Sequence, residues 1–306
     1  MTRLPTARWF AAAAVAIAAM AWTTAGGAAQ GAPKTTPDTP FKLMTFAAGG
    51  QTRVGMVLGA RVLDISGANR HVTERAKLAA MTMPGDMKAL IEQYATLSPR
   101  LYQIANYFAA APPANLPFAF DVAAVAVKAP IKYPWNLMAA SANYKAHAEG
   151  MGTAGAGVPA APAATPASAP ASAPARAPAP GGFDASAAAR IVPDRDAPIM
   201  FAKSPRSCII DPGEPFYIVD GRGRTDYEGE LAVIMGPRPA YRVSRAEALD
   251  YVFGYSIMHD LSDRGSERLR EVTMFPGTNW FDGKSIDRAA PFGPVIVPKE
   301  FMPAVP

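Results

Sequence analysis

The sequence is poor in the residues that build disulfide frameworks and zinc clusters. Its 306 residues include one cysteine, Cys208, and three histidines. A single thiol cannot form an internal disulfide or a cysteine-based zinc site. No histidine stands near Cys208 in the sequence, so we interpret this residue as a small buried hydrophobe and not as a nucleophile.

Runs of basic residues are also absent. The formal net charge is +5, but the lysines and arginines are scattered singly and are not interleaved with aromatic side chains. Nucleic-acid-binding domains concentrate such residues along one face. We therefore predict no nucleic-acid partner and a mildly basic, solvated surface.

Long apolar runs are missing except at the N-terminus. Residues 9–22 are apolar and uncharged, Arg3 and Arg8 precede them, and small residues follow as far as Ala29. The run is shorter than the roughly 20 residues that a membrane-spanning helix needs. This pattern predicts a signal peptide over residues 1–32, export to the periplasm and no stable membrane span. A retained N-terminal anchor is the alternative.

The remaining chain divides by composition. Residues 33–40 are rich in proline and threonine and predict a linker. Short strands separated by glycines, followed by a helical stretch, predict a small, β-rich N-terminal domain over residues 41–130. The second domain, residues 131–306, contains an alanine- and proline-rich insertion at 152–182. That segment has too few large side chains to offset its ordering entropy, so we predict an unstructured loop within an α+β fold.

Three acidic residues are the strongest candidates for a functional site. Glu228 and Glu230 alternate at the start of a predicted strand, so their side chains point to the same face. Asp260 ends the next predicted strand. Converging carboxylates repel each other, and a hard divalent cation such as Mg²⁺, Mn²⁺ or Ca²⁺ relieves that repulsion better than zinc does. The alternative is a pair of exposed acids on the solvent face of a strand.

Two further residues are candidates for a role in catalysis. His147 stands close to Glu149, and a histidine beside a carboxylate can act as a general base. Lys284 lies on a glycine-bounded turn, where its amine can contact a substrate carboxylate or a developing enolate. A partly buried structural histidine and a solvated lysine are the ordinary alternatives.

Five segments, taken in order, resemble the fumarylacetoacetate hydrolase family. They are Asn143-Tyr144 with His147; Pro198 to Lys203 with Asp211-Pro212-Gly213; Asp226 to Val233; Gly254-Tyr255 with Asp260, Ser262 and Arg264; and Gly283-Lys284-Ser285 with Asp287 and residues 291–294. Each segment alone is a weak signal, whereas the five in this order are specific.

The resemblance implies a fold and an activity. The fold is a mixed, mainly β core rolled into a barrel-like sheet, preceded by a smaller N-terminal domain, and commonly assembled as a homodimer. The activity is metal-dependent hydrolysis or lysis of C–C bonds in small diketo or 2-oxo acids, or a related decarboxylation or isomerisation. The resemblance implies Glu228, Glu230 and Asp260 as metal ligands and His147 and Lys284 as catalytic residues. We add Glu149 as the acid available beside the histidine. Substrate contacts are expected from Tyr144, Lys203 and Arg264.

The sequence also departs from the family pattern. Gly150 stands where the family has the glutamate partner of the histidine, and Glu149 is displaced by one residue, about 100° around a helix. Asp263 stands where a small residue is usual. The family continues for several strands beyond the position of Pro306, so we expect the barrel-like core to be incomplete at its C-terminus. A non-catalytic relative that binds metal and acid is therefore the alternative function.

Overall fold

The computed structural model describes the chain from residue 32 to residue 303, apart from residues 111–112, 114, 142–191, 193–196, 199, 223–224 and 264–279. The predicted signal peptide, up to residue 31, and the predicted insertion at 152–182 lie outside the described residues. Both therefore stay predictions.

A five-stranded antiparallel sheet forms the first part of the fold. Its strands are β1 (Lys42–Ala48), β2 (Gln51–Leu58), β3 (Arg61–Asp64), β4 (Ala119–Asp121) and β5 (Ala126–Lys128), in the order β4-β3-β2-β1-β5. Gly49 and Gly50 join β1 to β2, and both have positive φ values. Glycine adopts this conformation without a Cβ clash, so the glycine pair sets the hairpin.

Three helices cover this sheet. They are α1 (Ile65–Arg75), α2 (Met87–Glu92) and α3 (Tyr94–Ala110). The side chains of Asp64 and Asp86 accept backbone N–H bonds at the starts of α1 and α2, which satisfies donors that helix ends leave open. Leu90 of α2 and Leu101 and Ile104 of α3 are fully buried in the hydrophobic core. The helices contain more residues than the strands, so this part is mixed and not mainly β.

Short strands dominate the second part. They are β6 (Met138–Ala140), β7 (Met200–Ala202), β8 (Ile209–Ile210), β9 (Thr225–Asp226), β10 (Gly229–Met235), β11 (Val252–His259), β12 (Ser262–Asp263), β13 (Ala290–Pro291) and β14 (Val297–Pro298), with a helix α4 (Trp280–Lys284). The 3₁₀ helices are η1 (Val122–Ala124), η2 (Arg245–Tyr251) and η3 (Lys299–Phe301). The main sheet runs β10-β11-β14, and β9 pairs with β12. These strands curl into a half-barrel beside the helices.

One hydrophobic core joins the two parts. Leu43 of β1 and Ile296 exchange two backbone hydrogen bonds of 2.8 Å, and both residues are fully buried. The ring of Tyr94 in α3 packs edge-on against Phe253 of β11, with 4.8 Å between ring centroids. The predicted division near residue 130 therefore falls within continuous packing, and it stays a prediction as a domain boundary.

Cys208 is fully buried in that core, as its isolation in the sequence predicts. Burial raises the pKa of its thiol, which donates to the carbonyl oxygen of Ile286 at 3.2 Å. Among the helices that the structure describes, none has the length and apolarity that crossing a membrane requires.

Candidate metal centre

Three carboxylates converge where the chain passes between short strands. Glu228 lies between β9 and β10, Glu230 is the second residue of β10, and Asp260 follows β11. One oxygen atom of each lies within 4.8 Å of an oxygen of the other two. The convergence predicted from the alternation of Glu228 and Glu230 and from the position of Asp260 is therefore present in the structure.

The antiparallel ladder explains this convergence. Gly229 pairs with His259, so the residues that flank this pair face each other across the sheet. The backbone N–H of Asp260 donates to the carbonyl oxygen of Glu228 at 2.9 Å, which extends the ladder one step beyond the strand end. Asp260 is thereby held opposite Glu228, and its side chain is only 3% exposed.

Lys284, the last residue of α4, places its amine among these acids. Its Nζ atom donates to Asp260 Oδ2 at 2.6 Å, to Ser262 Oγ at 2.6 Å and to Glu228 Oε2 at 3.1 Å. The ring of Phe201 lies against the same ammonium group, 4.6 Å from its centroid. A cation at this distance from an aromatic face is attracted by the ring quadrupole. Lys284 is therefore part of the acidic cluster and not a solvated turn residue.

Lys203 supplies a second positive charge. It follows β7, is 2% exposed, and donates from Nζ to Asp260 Oδ1 at 2.7 Å and to the Leu261 carbonyl at 3.1 Å. Burial lowers the pKa of Lys203, and the adjacent Asp260 carboxylate opposes that shift. We predicted a substrate contact for this lysine; in the structure its amine holds Asp260, and contact with substrate stays a prediction.

The electrostatic balance of the cluster leaves room for a cation. Three carboxylates and two ammonium groups carry one net negative charge. The pKa of Glu230 is raised, first by burial and then by the charge of Asp260. No hydrogen-bond donor among the described residues contacts Glu230. The two lysines therefore neutralise the charge of Glu230 less than the charges of Glu228 and Asp260.

The cluster fits a hard divalent cation. Its ligands are carboxylate oxygens, which Mg²⁺, Mn²⁺ and Ca²⁺ prefer. Two oxygens bound to one ion at about 2.0–2.6 Å can lie at most roughly 4–5 Å apart. The three carboxylate oxygens lie within 4.8 Å of one another, close to that limit. The donor set of the cluster therefore suits such an ion.

Four predicted site residues lie outside the described part of the chain: Tyr144, His147, Glu149 and Arg264. Their roles stay predictions. Ser262, in contrast, enters the cluster without having been assigned a role from the sequence. It is 1% exposed, accepts from Lys284, and its hydroxyl donates to the Asp260 carbonyl at 3.1 Å. Its spacing of two residues from Asp260 was a usable signal, because such residues share one strand face.

Comparisons with known proteins agree with this fold. The family model of the fumarylacetoacetate hydrolase C-terminal region matches residues 136–305, more than half of the chain. A fumarylacetoacetate hydrolase of Exiguobacterium antarcticum has a similar structure, with a TM-score of 0.51 and 24% identity over 86% of this chain and 68% of that one. This likeness confirms the predicted mixed, rolled β fold.

Curated relatives are also similar in sequence. A mitochondrial oxaloacetate tautomerase of Xenopus laevis is 33% identical over 109 residues, 36% of this chain and 32% of that protein. An oxaloacetate tautomerase of Bacillus subtilis is 42% identical over 74 residues, 24% of this chain and 22% of that protein. The matched segment thus spans less than half the length of either relative. Taken with the family match over residues 136–305, these similarities establish that the chain belongs to the fumarylacetoacetate hydrolase family.

Proposed function

We propose that this chain binds a divalent metal ion through Glu228, Glu230 and Asp260, and that it acts on small 2-oxo or diketo acids. Mg²⁺ is the favoured ion, with Mn²⁺ or Ca²⁺ as substitutes of the same oxygen preference. The observation that carries the proposal is the convergence of three carboxylates whose oxygens lie within 4.8 Å of one another. Two of them, Glu228 and Asp260, accept hydrogen bonds from the amine of Lys284.

The charge of the cluster supports an anionic substrate. A bound divalent cation supplies Lewis-acid polarisation of a substrate carbonyl. With its two positive charges added, the carboxylates and lysines carry one net positive charge. A carboxylate group on the substrate balances that charge, and the names of the two tautomerase relatives point to oxaloacetate as an acid of this class.

Lys284 is the residue that we assign to charge stabilisation. Its side chain is 13% exposed, in contrast to the 3% exposure of Asp260, so its amine lies at the edge of the cluster. An ammonium group there stabilises negative charge that develops on the oxo oxygen of a substrate. Hydrolysis of a C–C bond, decarboxylation and tautomerisation of such acids all develop this charge.

We assign the proton transfer to His147, with Glu149 as its partner, and substrate contacts to Tyr144, Lys203 and Arg264. With these residues the chain is a metal-dependent C–C hydrolase or lyase, or a related decarboxylase or isomerase. The second candidate is a non-catalytic protein that binds metal and acid. The observation behind it is Gly150, which replaces the expected glutamate.

Metal binding is tested with Glu230→Gln. This change removes one carboxylate without breaking a lysine contact, so the metal-free fold should be as stable as the wild type or more stable, because a buried carboxylate is lost. We expect the Mn²⁺ dissociation constant, measured by isothermal titration calorimetry, to rise at least about 100-fold, above the usual effect of changing a residue outside the ligand shell.

The control is Glu247→Gln, the same chemical change on an exposed glutamate of η2. It should leave Mn²⁺ affinity unaltered. If Glu230→Gln and the wild type bind Mn²⁺ equally, the assignment of the metal ligands is wrong.

Catalysis is tested with the full-length protein, Mn²⁺ or Mg²⁺, and a panel of oxaloacetate, acylpyruvates and fumarylpyruvate-like acids. Deuterium uptake from solvent at the carbon beside the oxo group, followed by NMR, reports proton transfer, and product analysis reports C–C cleavage. We expect activity in the wild type and its loss in Lys284→Met. Retained Mn²⁺ binding with neither reaction on any acid supports the non-catalytic candidate.

A further inference from the structure

A buried ionic network involves residues that neighbour the carboxylate cluster along the chain. The Nη1 atom of Arg222 donates to Asp263 Oδ2 at 2.9 Å, and its Nη2 atom donates to Asp282 Oδ1 at 3.0 Å. Nη1 also lies 3.3 Å from the backbone carbonyl oxygen of Asp282. The side chains of Arg222 and Asp263 are 8% and 0% exposed, and that of Asp282 is 23% exposed.

The network joins the three segments that carry the cluster. Arg222 precedes β9, and its carbonyl oxygen accepts both the backbone N–H and the hydroxyl of Thr225 at the start of that strand, which leads to Glu228. Asp263 follows Ser262 in β12. Asp282 lies in α4, two residues before Lys284. Arg222 therefore contacts each of the three chain segments that carry Glu228, Ser262 and Lys284.

The chemistry of this network makes it rigid. A guanidinium group is planar and presents its donors in a fixed fork, so two acceptors on different segments are held at defined angles. Removal of one partner from a buried charged pair leaves an uncompensated charge, which is strongly unfavourable. Asp263 also stands where the family resemblance implies a small residue, so this acceptor is a feature of the present chain.

We propose that Arg222 is a positioning residue for the metal site. Through Asp263 and Asp282 it fixes Ser262 and Lys284 relative to the carboxylates, and it thereby sets the metal affinity of the cluster. Arg222 itself contacts none of the three carboxylates that we assign as ligands. The inference rests on the proposed metal site, and its test separates the two.

The test compares Arg222→Met with the wild type in two measurements. We expect the Mn²⁺ dissociation constant to rise about 10-fold, the lower end of the effect of losing a residue bonded to a metal ligand, because Arg222 acts through Asp263 and Asp282. We also expect faster hydrogen exchange in α4, where the Ser285 N–H donates to Phe281 at 2.7 Å. Arg222→Lys, which keeps the charge and loses the fork, should recover part of the affinity.

The matched control is Arg53→Met. Arg53 forms a 2.7 Å ion pair with Asp64 in the N-terminal sheet, so this variant also loses a partly buried arginine pair. It should lower the melting temperature without altering Mn²⁺ affinity or the exchange of α4. If Arg222→Met behaves in the same way, its role is only structural and the inference is overturned.

Two further outcomes are informative. If the wild type binds no Mn²⁺, the proposed metal site fails, and hydrogen exchange alone decides the positioning role. Equal exchange of α4 in Arg222→Met and Arg53→Met then overturns it, whereas faster exchange in Arg222→Met supports it. If Arg222→Met does not fold, Asp263→Asn replaces it, since this change removes one charge and preserves the shape of the side chain.

Discussion

At the scale of single residues, Lys203 is the internal counterion of the cluster. It is as buried as Asp260, and its amine occupies the oxygen of Asp260 that Lys284 does not reach. A buried carboxylate that loses such a partner is left with an expensive charge. Without substrate, Lys203 therefore stabilises the fold around Asp260, while the more exposed Lys284 lies at the edge of the cluster.

This division of tasks predicts the effect of Lys203→Met. We expect the free energy of unfolding of the metal-free protein to fall by about 3 kcal/mol, the lower end for a broken buried pair, because Lys284 still contacts Asp260. Added Mn²⁺ should restore part of this loss. The measurement is urea denaturation with and without the ion. Lys34→Met, which removes a 77% exposed lysine, is the control and should cost less than about 1 kcal/mol.

Asp211 shows how hydrogen bonds outweigh burial. It accepts from the backbone N–H of Ala129 at 2.9 Å, from Lys128 at 3.0 Å and from Lys132 at 3.4 Å, and its side chain is 13% exposed. Burial raises the pKa of Asp211, but these bonds and charges more than reverse that shift, so the net pKa is lowered. A lowered pKa in the folded state stabilises the fold above the unfolded value, and that contribution disappears as the pH falls through the folded value.

The resulting prediction concerns Asp211→Asn. At about pH 7 the variant should be less stable by about 1–3 kcal/mol, the usual contribution of hydrogen bonds to a charged group. The difference from the wild type should shrink as the pH falls below about 4, because the carboxyl is then protonated first in the unfolded state and, at lower pH, in the folded state as well. Urea denaturation across this pH range measures it. A difference that is the same at both ends of the range contradicts the assigned cause.

At the scale of elements, β11 depends on one glycine. A Cβ atom on Gly254 would lie 2.4 Å from the carbonyl oxygen of Val297 and 3.0 Å from a side-chain carbon of Ile296. Gly254 pairs with Pro298 of β14 in the same sheet. The close atom belongs to the backbone, so it cannot move aside without separating the strands. The absence of a side chain at Gly254 thus allows β11 and β14 to approach.

Gly254→Ala should therefore lower the free energy of unfolding by about 1–3 kcal/mol, the usual cost of overpacking. Gly85→Ala is the control, because a Cβ atom there meets nothing within 4 Å. It should be neutral or stabilising by up to about 1 kcal/mol. Chemical denaturation measures the free energy of unfolding of both variants. If the two variants are equally stable, β14 accommodates the added Cβ atom without loss of stability.

At the scale of the whole molecule, contacts between the two parts predict joint unfolding. Leu43 bonds to Ile296, Tyr94 packs against Phe253, and the hydroxyls of Tyr94 and Tyr102 both donate to Glu300 of η3. Burial and the contact with Glu300 raise the pKa of Tyr102 to about 12, so this contact persists over the neutral pH range. Parts that share a core lose their stability together.

We expect one cooperative transition in differential scanning calorimetry, with coincident loss of near-UV and far-UV circular dichroism. Phe253→Leu should lower its midpoint without splitting it. Two separate transitions would support the predicted boundary at residue 130 as a true domain boundary. The predicted homodimer and the predicted export to the periplasm belong to this scale as well, and both stay predictions.

Local patterns in the sequence determined the centre of the site. The alternation of Glu228 and Glu230, the place of Asp260 at a strand end and the isolation of Cys208 depend on neighbours along the chain, and strand periodicity makes such neighbours predictable. The ordered motifs also identified the family and its rolled fold, which the comparisons confirmed. In both cases the information lies in short-range spacing.

Only the tertiary structure determined which charged and polar side chains contact each other. Lys203 and Asp260 are 57 residues apart, Arg222 and Asp263 are 41 apart, and Tyr94 and Glu300 are 206 apart. No periodicity links such positions, because their contact arises only when separate strands and helices pack together. For this reason the sequence assigned Arg222 no role, whereas in the folded chain it pairs with Asp263 and Asp282. The contact between Lys203 and Asp260 likewise appears only in the folded chain, while the predicted contact of Lys203 with substrate stays a prediction.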